Sequence, residues 1–238
     1  MAGRISYYGG IVKDGLVLDL DAAKRDSYVG VGTAWNDISG NGNNGTLTNG
    51  PTFNSNNGGS IVFDGVDDLV SLTTLSSLVG KTNVTIDSWF FNNSVVSGFQ
   101  NIIGQFDGTD GWLINTSAIA NQRIVVLVGG TSAYGGVNDT PTNKWFNVIL
   151  SYDGTLTGNT NRLKIYIDGV ERTFDFFNTG TVPSSWPDAT SINTTIGSLT
   201  GYGRFFNGRI PIVRAYQKTL STSEILQNYN ATRGRFGL

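Results

Sequence analysis

The chain is punctuated throughout by tight-turn dipeptides. Asp-Gly occurs at Asp64, Asp107, Asp110, Asp153 and Asp168, and Asn-Gly at Asn41, Asn44, Asn49, Asn57 and Asn207. Such pairs supply the positive φ angles that hairpin turns require. Between them lie short runs of strand character: Val17 to Leu20, Ser60 to Phe63, Leu69 to Leu72, Val84 to Phe91, Ile124 to Val128, Trp145 to Tyr152, Leu163 to Ile167, Thr195 to Gly197 and Ile210 to Tyr216. Leu163, Ile165 and Ile167 alternate with Lys164, Tyr166 and Asp168, the period of a strand with one buried face. Val84, Ile86, Ser88 and Phe90 share one face of their run, and Thr85, Asp87, Trp89 and Phe91 the other. Many short strands with frequent turns predict an all-β sandwich of two antiparallel sheets.

A chain of 238 residues can bury roughly 70–75% of its unfolded surface, enough for one large core. No break in composition suggests a second domain. The predicted domain spans 11–232, between an N-terminal arm (1–10) and a C-terminal tail (233–238). One helix is expected near the end. Ser221 and Glu224 have capping-box spacing, and Ile225, Leu226 and Tyr229 form a short apolar face that would pack on the sandwich edge. Ser39 to Gly59, rich in Gly, Asn, Ser and Thr, reads as a long ordered loop. At its start Asp37 and Ser39 can bind the backbone of the loop. Pro211 lacks a ladder donor, so its strand should lie at an edge or carry a bulge.

The chain contains neither cysteine nor histidine, which removes disulfides, Cys/His zinc sites, thiolate nucleophiles and imidazole bases. Its net charge is −2 with no long basic run, which argues against nucleic acid as a partner. No apolar run approaches the roughly 20 residues of a membrane span. The start of the chain lacks the apolar segment of a secretory signal, so synthesis in the cytoplasm is expected. The seven Asn-x-Ser/Thr sequons, at Asn44, Asn83, Asn92, Asn115, Asn138, Asn193 and Asn230, arise from composition.

Only two glutamates exist, Glu171 and Glu224, and the second is engaged by the helix cap. A glycoside hydrolase needs two carboxylates flanking the bond it cleaves. The expectation is therefore that the protein is not an enzyme, with an Asp-based pair such as Asp67 and a distant Asp left open. Asp64, Asp67 and Asp68 form the densest acidic cluster. They could hold Ca²⁺, which takes six to eight oxygen ligands, completed by loop carbonyls near Asn41 and Asn43. The alternative is a solvated turn in which Asp64 and Asp67 accept backbone N–H groups. Trp112 and Trp186, near turns, and Tyr134 and Tyr202, in Gly-rich loops, are the candidates to stack on a sugar.

The ordered motifs Gly15 to Ala22, Trp35 to Gly45, Ile61 to Asp68, Val84 to Trp89, Trp145 to Gly154, Leu163 to Val170, Ile196 to Ser198, Phe206 to Ile210 and Leu220 to Ile225 resemble the laminin-G-like, concanavalin A-like lectin/glucanase family. The resemblance runs from about Ile11 to Thr232. It implies a jelly roll with one concave face, frequent calcium binding, and frequent carbohydrate or protein binding. It also implies kinship with domains of tailed-bacteriophage virion proteins.

The function expected first is accordingly a structural protein of the virion surface, a capsid decoration or a tail fibre or spike component. Its partners would be other virion proteins and copies of itself. The alternative is a calcium-assisted adhesin that binds cell-surface glycan, and the third reading is a glycoside hydrolase. Arg4, Tyr7 and Tyr8 at one end, and Arg233, Arg235 and Phe236 at the other, are of the types enriched at interfaces and are the candidate assembly contacts.

Overall fold

The structure is a computed structural model that describes residues 10–93, 98–117, 123–130, 134–138, 142–176 and 180–238. The strands are β1 (Leu16–Asp21), β2 (Ala34–Trp35), β3 (Gly45–Thr48), β4 (Thr52–Asn54), β5 (Ser60–Asp64), β6 (Leu69–Leu72), β7 (Asn83–Asn92), β8 (Phe99–Phe106) and β9 (Gly111–Ser117). They continue with β10 (Arg123–Val128), β11 (Tyr134–Asn138), β12 (Trp145–Asp153), β13 (Leu163–Ile167), β14 (Val170–Arg172), β15 (Asp175–Phe176), β16 (Thr195–Ile196) and β17 (Asn207–Tyr216). Helices α1 (Asn159–Arg162) and α2 (Thr222–Thr232) and a 3₁₀ turn at Arg233–Phe236 complete the elements that shape the clefts and the covered sheet face.

The strands form two antiparallel sheets. The first has the order β14-β13-β12-β7-β17-β5-β4, with β1 also on β17; the second has the order β15-β11-β10-β9-β8-β16-β6-β3-β2. Alternation along each strand sends one set of side chains into the space between the sheets. Val84, Ile86, Phe90, Val148, Leu150, Ile165 and Val213 enter from the first sheet, and Val70, Ile103, Trp112, Ile114, Ile124 and Val126 from the second. Each is at most 1% exposed, and burying one such aliphatic side chain stabilises the fold by about 1.5–3 kcal/mol.

Pro211 shows how the long strand β17 tolerates its missing donor. The strand is central, not an edge. One side pairs with β7, and the register shifts between Arg209 and Ile212. The other side pairs with β5 up to Ile210 and with β1 from Ile212. Pro211 thus sits at the bulge where one neighbour hands over to the next, and its carbonyl accepts from Ala22 N–H at 2.9 Å. The expected long loop of 39–59 also differs, since it contains β3 and β4. Leu47 is 5% exposed and pairs with Val70, which anchors the segment to the second sheet.

The outward face of the first sheet is covered by the end of the chain. The capping box at Ser221 and Glu224 forms as predicted. The helix then lies across the sheet's face, not along its edge, with Ile225 and Asn228 buried and Leu226 turned outward. The 3₁₀ turn continues over Trp89. The Phe236 ring stacks 4.3 Å from Trp89 and lies 4.7 Å from Trp145. Arg235 pairs with Asp21 at 2.8 Å, and its carbonyl accepts from Asn57 Nδ2 at 2.7 Å. Arg235 and Phe236 are therefore not free assembly contacts, because they close the chain's own apolar face. Arg233 remains exposed, over the Tyr229 ring. Arg4, Tyr7 and Tyr8 lie outside the described residues.

Candidate functional site

Antiparallel order brings the β8–β9 and β10–β11 turns to the same end of the sandwich. There they meet residues 79–80, which lead into β7, and the segment 181–188. Together they enclose a cleft of about 560 Å³, within the range of roughly 300–1,000 Å³ typical of small-ligand sites.

Local chemistry shapes each wall. Asp107 Oδ1 accepts from the N–H groups of Thr109 and Asp110 at 2.8 Å each, and folds the β8–β9 turn. Those backbone bonds from Asp110 and Thr109 hold the Asp107 carboxyl below its ordinary pKa. Asp110 Oδ1 accepts from Gly111 N–H (2.8 Å) and Gly130 N–H (3.1 Å), and so ties the two turns together. Gly129 has φ +78°, and a Cβ there would lie 2.6 Å from the Pro183 ring, so only glycine permits this approach. The segment 181–188 is held by Arg162 Nη1 on Val182 O (2.6 Å), by Val182 N–H on Asn159 Oδ1 (2.9 Å) and by the Tyr152 hydroxyl on Pro183 O (2.8 Å). Burial pushes the Tyr152 phenol up to about 12, so it stays a neutral donor.

Trp186 forms the cleft's apolar wall. Its backbone pairs with residues 80 and 81 (Trp186 N–H to Lys81 O, 2.7 Å; Gly80 N–H to Trp186 O, 3.0 Å). Its indole is 2% exposed, lying 5.4 Å from Trp112 and 5.3 Å from Tyr152. Asp110 and Asp188 bring carboxylates to the cleft, and the lining residues include no lysine or arginine among those described.

The expected sugar-stacking residues divide. Trp112 is 1% exposed, because it pairs with Gln105 and Val128 and so points inward with Ile114. Trp186 reaches the cleft only as a nearly buried wall, so neither indole is an open platform. Tyr202 is 42% exposed, tilted on Phe106 at 5.7 Å, with the Arg204 guanidinium 5.3 Å from its ring. Tyr134 pairs through its backbone with Leu127, and its side chain lies outside the described residues. Sequence reasoning missed Asp188, and it read Asp110 only as a turn residue. The doubled Asp-Gly at Asp107 and Asp110, within one turn, was the available signal for that wall of the cleft, and nothing local pointed to Asp188.

The acidic cluster forms elsewhere. Asp64, Asp67 and Asp68 bring carboxylate oxygens within 4.8 Å of one another. Asp68 Oδ2 accepts from Asp64 N–H at 2.9 Å, and Asp64 Oδ1 from Val66 N–H at 2.8 Å. Burial, together with the neighbouring Asp64 and Asp67 charges, raises the Asp68 pKa against the pull of that backbone bond. Asn41 and Asn43 do not join them. Their side-chain amides donate to Leu16 O (3.2 Å) and Val17 O (2.7 Å) on β1. Strand β3 separates the two groups. Its Gly45 end pairs with Leu72, near the asparagine loop, and its Thr48 end pairs with Leu69, next to Asp68. The three hard carboxylates suit Ca²⁺ in donor type. The carbonyls of Asp64 and Asp67 are already engaged by Asn207 Nδ2 (3.1 Å) and Asn49 Nδ2 (3.0 Å).

The family model Laminin_G_3, described as concanavalin A-like lectin/glucanases superfamily, matches residues 64–226. No curated protein matches the sequence. Domain 4 of AbnA, a GH43 extracellular arabinanase from Geobacillus stearothermophilus solved in complex with arabinotriose, is 18% identical with a TM-score of 0.64, over 90% of this chain and 98% of that domain. Trypanosoma rangeli sialidase in complex with sialic acid is 16% identical with a TM-score of 0.65, over 92% of this chain but only 33% of the sialidase. The binding domain of botulinum neurotoxin serotype D is 15% identical with a TM-score of 0.63, over 92% of this chain and 52% of that domain.

Proposed function

The chain belongs to the Laminin_G_3 family of the concanavalin A-like lectin/glucanase superfamily, and on that footing we propose that it is a non-catalytic glycan-binding module whose ligand is a neutral sugar held in the cleft of Asp110, Trp186 and Asp188. The observation that carries this reading is the pair of carboxylates. Asp110 Oδ1 and Asp188 Oδ1 are fixed by backbone N–H groups. No bond among the described residues engages the second oxygen of either. Oriented carboxylate oxygens accept from sugar hydroxyls, and the prolines and Trp186 offer apolar surface to a ring. Two acids without a lysine or arginine in the lining favour a neutral ligand over an acidic one. The AbnA domain, solved with arabinotriose, lends support at the level of the fold.

Calorimetry against neutral oligosaccharides, arabinotriose among them, tests the reading. Asp110→Asn and Asp188→Asn keep the acceptor for the backbone and change only the other atom. A charge-assisted hydrogen bond contributes about 1.5–3 kcal/mol, so each variant should bind roughly ten- to a hundred-fold more weakly. Failure of the unaltered protein to bind any neutral glycan on a broad panel would refute the proposal. The chain's two glutamates take no part in the site. Glu171 sits on β14 beside Lys164 and Tyr166, and Glu224 in the helix cap beside Lys218, both away from the cleft.

Calcium is proposed as an accessory ligand of Asp64, Asp67 and Asp68, where it would neutralise their mutual repulsion. A carboxyl whose pKa is raised on folding takes up a proton on folding. Its stabilising effect is complete below the unfolded pKa and fades as pH rises through the folded one. Without calcium, Asp68→Asn should therefore raise the melting temperature at neutral pH and lose that advantage as the pH falls toward ~4. With calcium, the unaltered protein should gain stability and the variant should gain less. Equal calcium responses in both proteins would remove the ion from this site. For the virion-surface reading, Arg235 and Phe236 drop out as free contacts because they are engaged within the chain, and Arg233 stays exposed. Quantitative mass spectrometry of purified particles is its direct test.

A further inference from the structure

A second cleft, of about 390 Å³, opens where the end of α2 meets the residues flanking β1. Arg214 lines it while only 1% exposed. Its Nε reaches Asp19 at 3.0 Å and its Nη1 reaches Asp87 at 3.3 Å, and Nη2 makes no hydrogen bond to the described residues. Lys13, Lys24 and Arg235 surround it. Lys13 Nζ lies 3.4 Å from Asp19, and Lys24 Nζ lies 3.8 Å from Asp19 and 3.9 Å from Asp21. These distances exceed the roughly 2.7–2.9 Å of a strong charge-assisted hydrogen bond. The lysine side chains, 63% and 46% exposed, therefore keep donors in reserve. Four cations (Lys13, Lys24, Arg214, Arg235) face three carboxylates (Asp19, Asp21, Asp87), which leaves one net positive charge.

We propose that this cleft is an oxyanion subsite that takes the carboxylate or sulfate group of an acidic sugar. The buried Arg214 amino group supplies a fixed donor, and the lysines supply adjustable ones. The space equals about a dozen water volumes, more than a bare anion fills. Ile11, Ala23 and Ala231 on its walls give a sugar ring an apolar surface beside the charge. The subsite stands apart from the neutral-sugar cleft in residues and in the sign of its charge.

Two-dimensional NMR titration of the full chain with glucuronic acid, sodium sulfate and, as the neutral control, glucose tests it. Glucuronate and sulfate should shift the same resonances around Arg214 and compete, with glucose inert there. Lys13→Gln/Lys24→Gln, at exposed positions and checked for unchanged melting, should weaken both by about three- to twenty-fold. Asp110→Asn should leave them unchanged, which separates this subsite from the first cleft. Sulfate binding without glucuronate would overturn the acidic sugar as the source of the anion. Shifts by neither probe, or equal binding by the double variant, would overturn the subsite itself.

Discussion

Replacing Arg214 with methionine should cost about 3–5 kcal/mol of stability at neutral pH, a large fraction of the roughly 5–15 kcal/mol that holds a domain together. Register places Asp19, Arg214 and Asp87 side by side on three adjacent strands, β1, β17 and β7. All three are at most 1% exposed beneath the chain's terminal helix. Burial opposes the guanidinium charge, but Asp87 and Asp19 overcome it, so the Arg214 pKa lies above its ordinary value. Burial raises the Asp87 pKa, while Arg214 and an Asn147 hydrogen bond (2.7 Å) hold it down. Remove the arginine, and Asp87 remains buried with its main counter-charge gone.

The raised pKa of Asp87 means that a proton is taken up on folding, so acidification favours the folded state. Without Arg214 the pKa climbs further. The deficit of Arg214→Met relative to the unaltered protein should therefore shrink as the pH is lowered from about 7.5 to about 5. The triple variant Asp19→Asn/Asp87→Asn/Arg214→Met, with no buried charge left, should recover much of the lost stability. Urea denaturation at several pH values measures both effects. A deficit independent of pH would show that Arg214 acts through packing alone.

Phe236→Ala should cost about 3–5 kcal/mol, although the residue lies in a short 3₁₀ turn outside both sheets. Phe236 is 7% exposed and lies on Trp89, which is wholly buried with Tyr229 stacked at 5.7 Å. Removing the ring opens a cavity over two tryptophans. Deleting 233–238 should do the same and also break the Arg235 contacts with Asp21 and Gly59 O. Denaturation curves should move to lower urea, and tryptophan emission of the folded truncated chain should shift to the red as Trp89 and Trp145 meet water. Phe236→Leu should show a smaller loss. Unchanged stability of the truncated chain would mean that the tail does not hold this face in solution.

What could be read from the residues alone was whatever depends on local order. Leu163–Ile167 and Val84–Phe91 alternate as strands because one face is apolar, and both form as predicted. The cap at Ser221 and Glu224 needs only a local spacing. Strands β8 and β9 were not legible, because Gln100, Asn101, Gln105 and Asn115 are polar yet at most 2% exposed. Gln105 Nε2, for example, binds Ala189 O at 2.8 Å, a partner 84 residues away that no local window contains. The burial of Trp112 and Trp186 was equally hidden, since strand phase after a turn sends Trp112 inward and Trp186 is covered by Trp112 and Tyr152 from distant strands. Asp64, Asp67 and Asp68 come together because they are neighbours in the chain. Asp19, Asp87 and Arg214, or Asp110 and Asp188, meet only because sheet register and loop closure bring distant segments together. Sequence by itself therefore determined the class of fold, the tight turns and the strands with an apolar face or run, which rest on interactions a few residues apart. Tertiary structure alone decided which charges are buried, which aromatic rings are covered and where two clefts open, because each of those depends on what the rest of the chain lays on top.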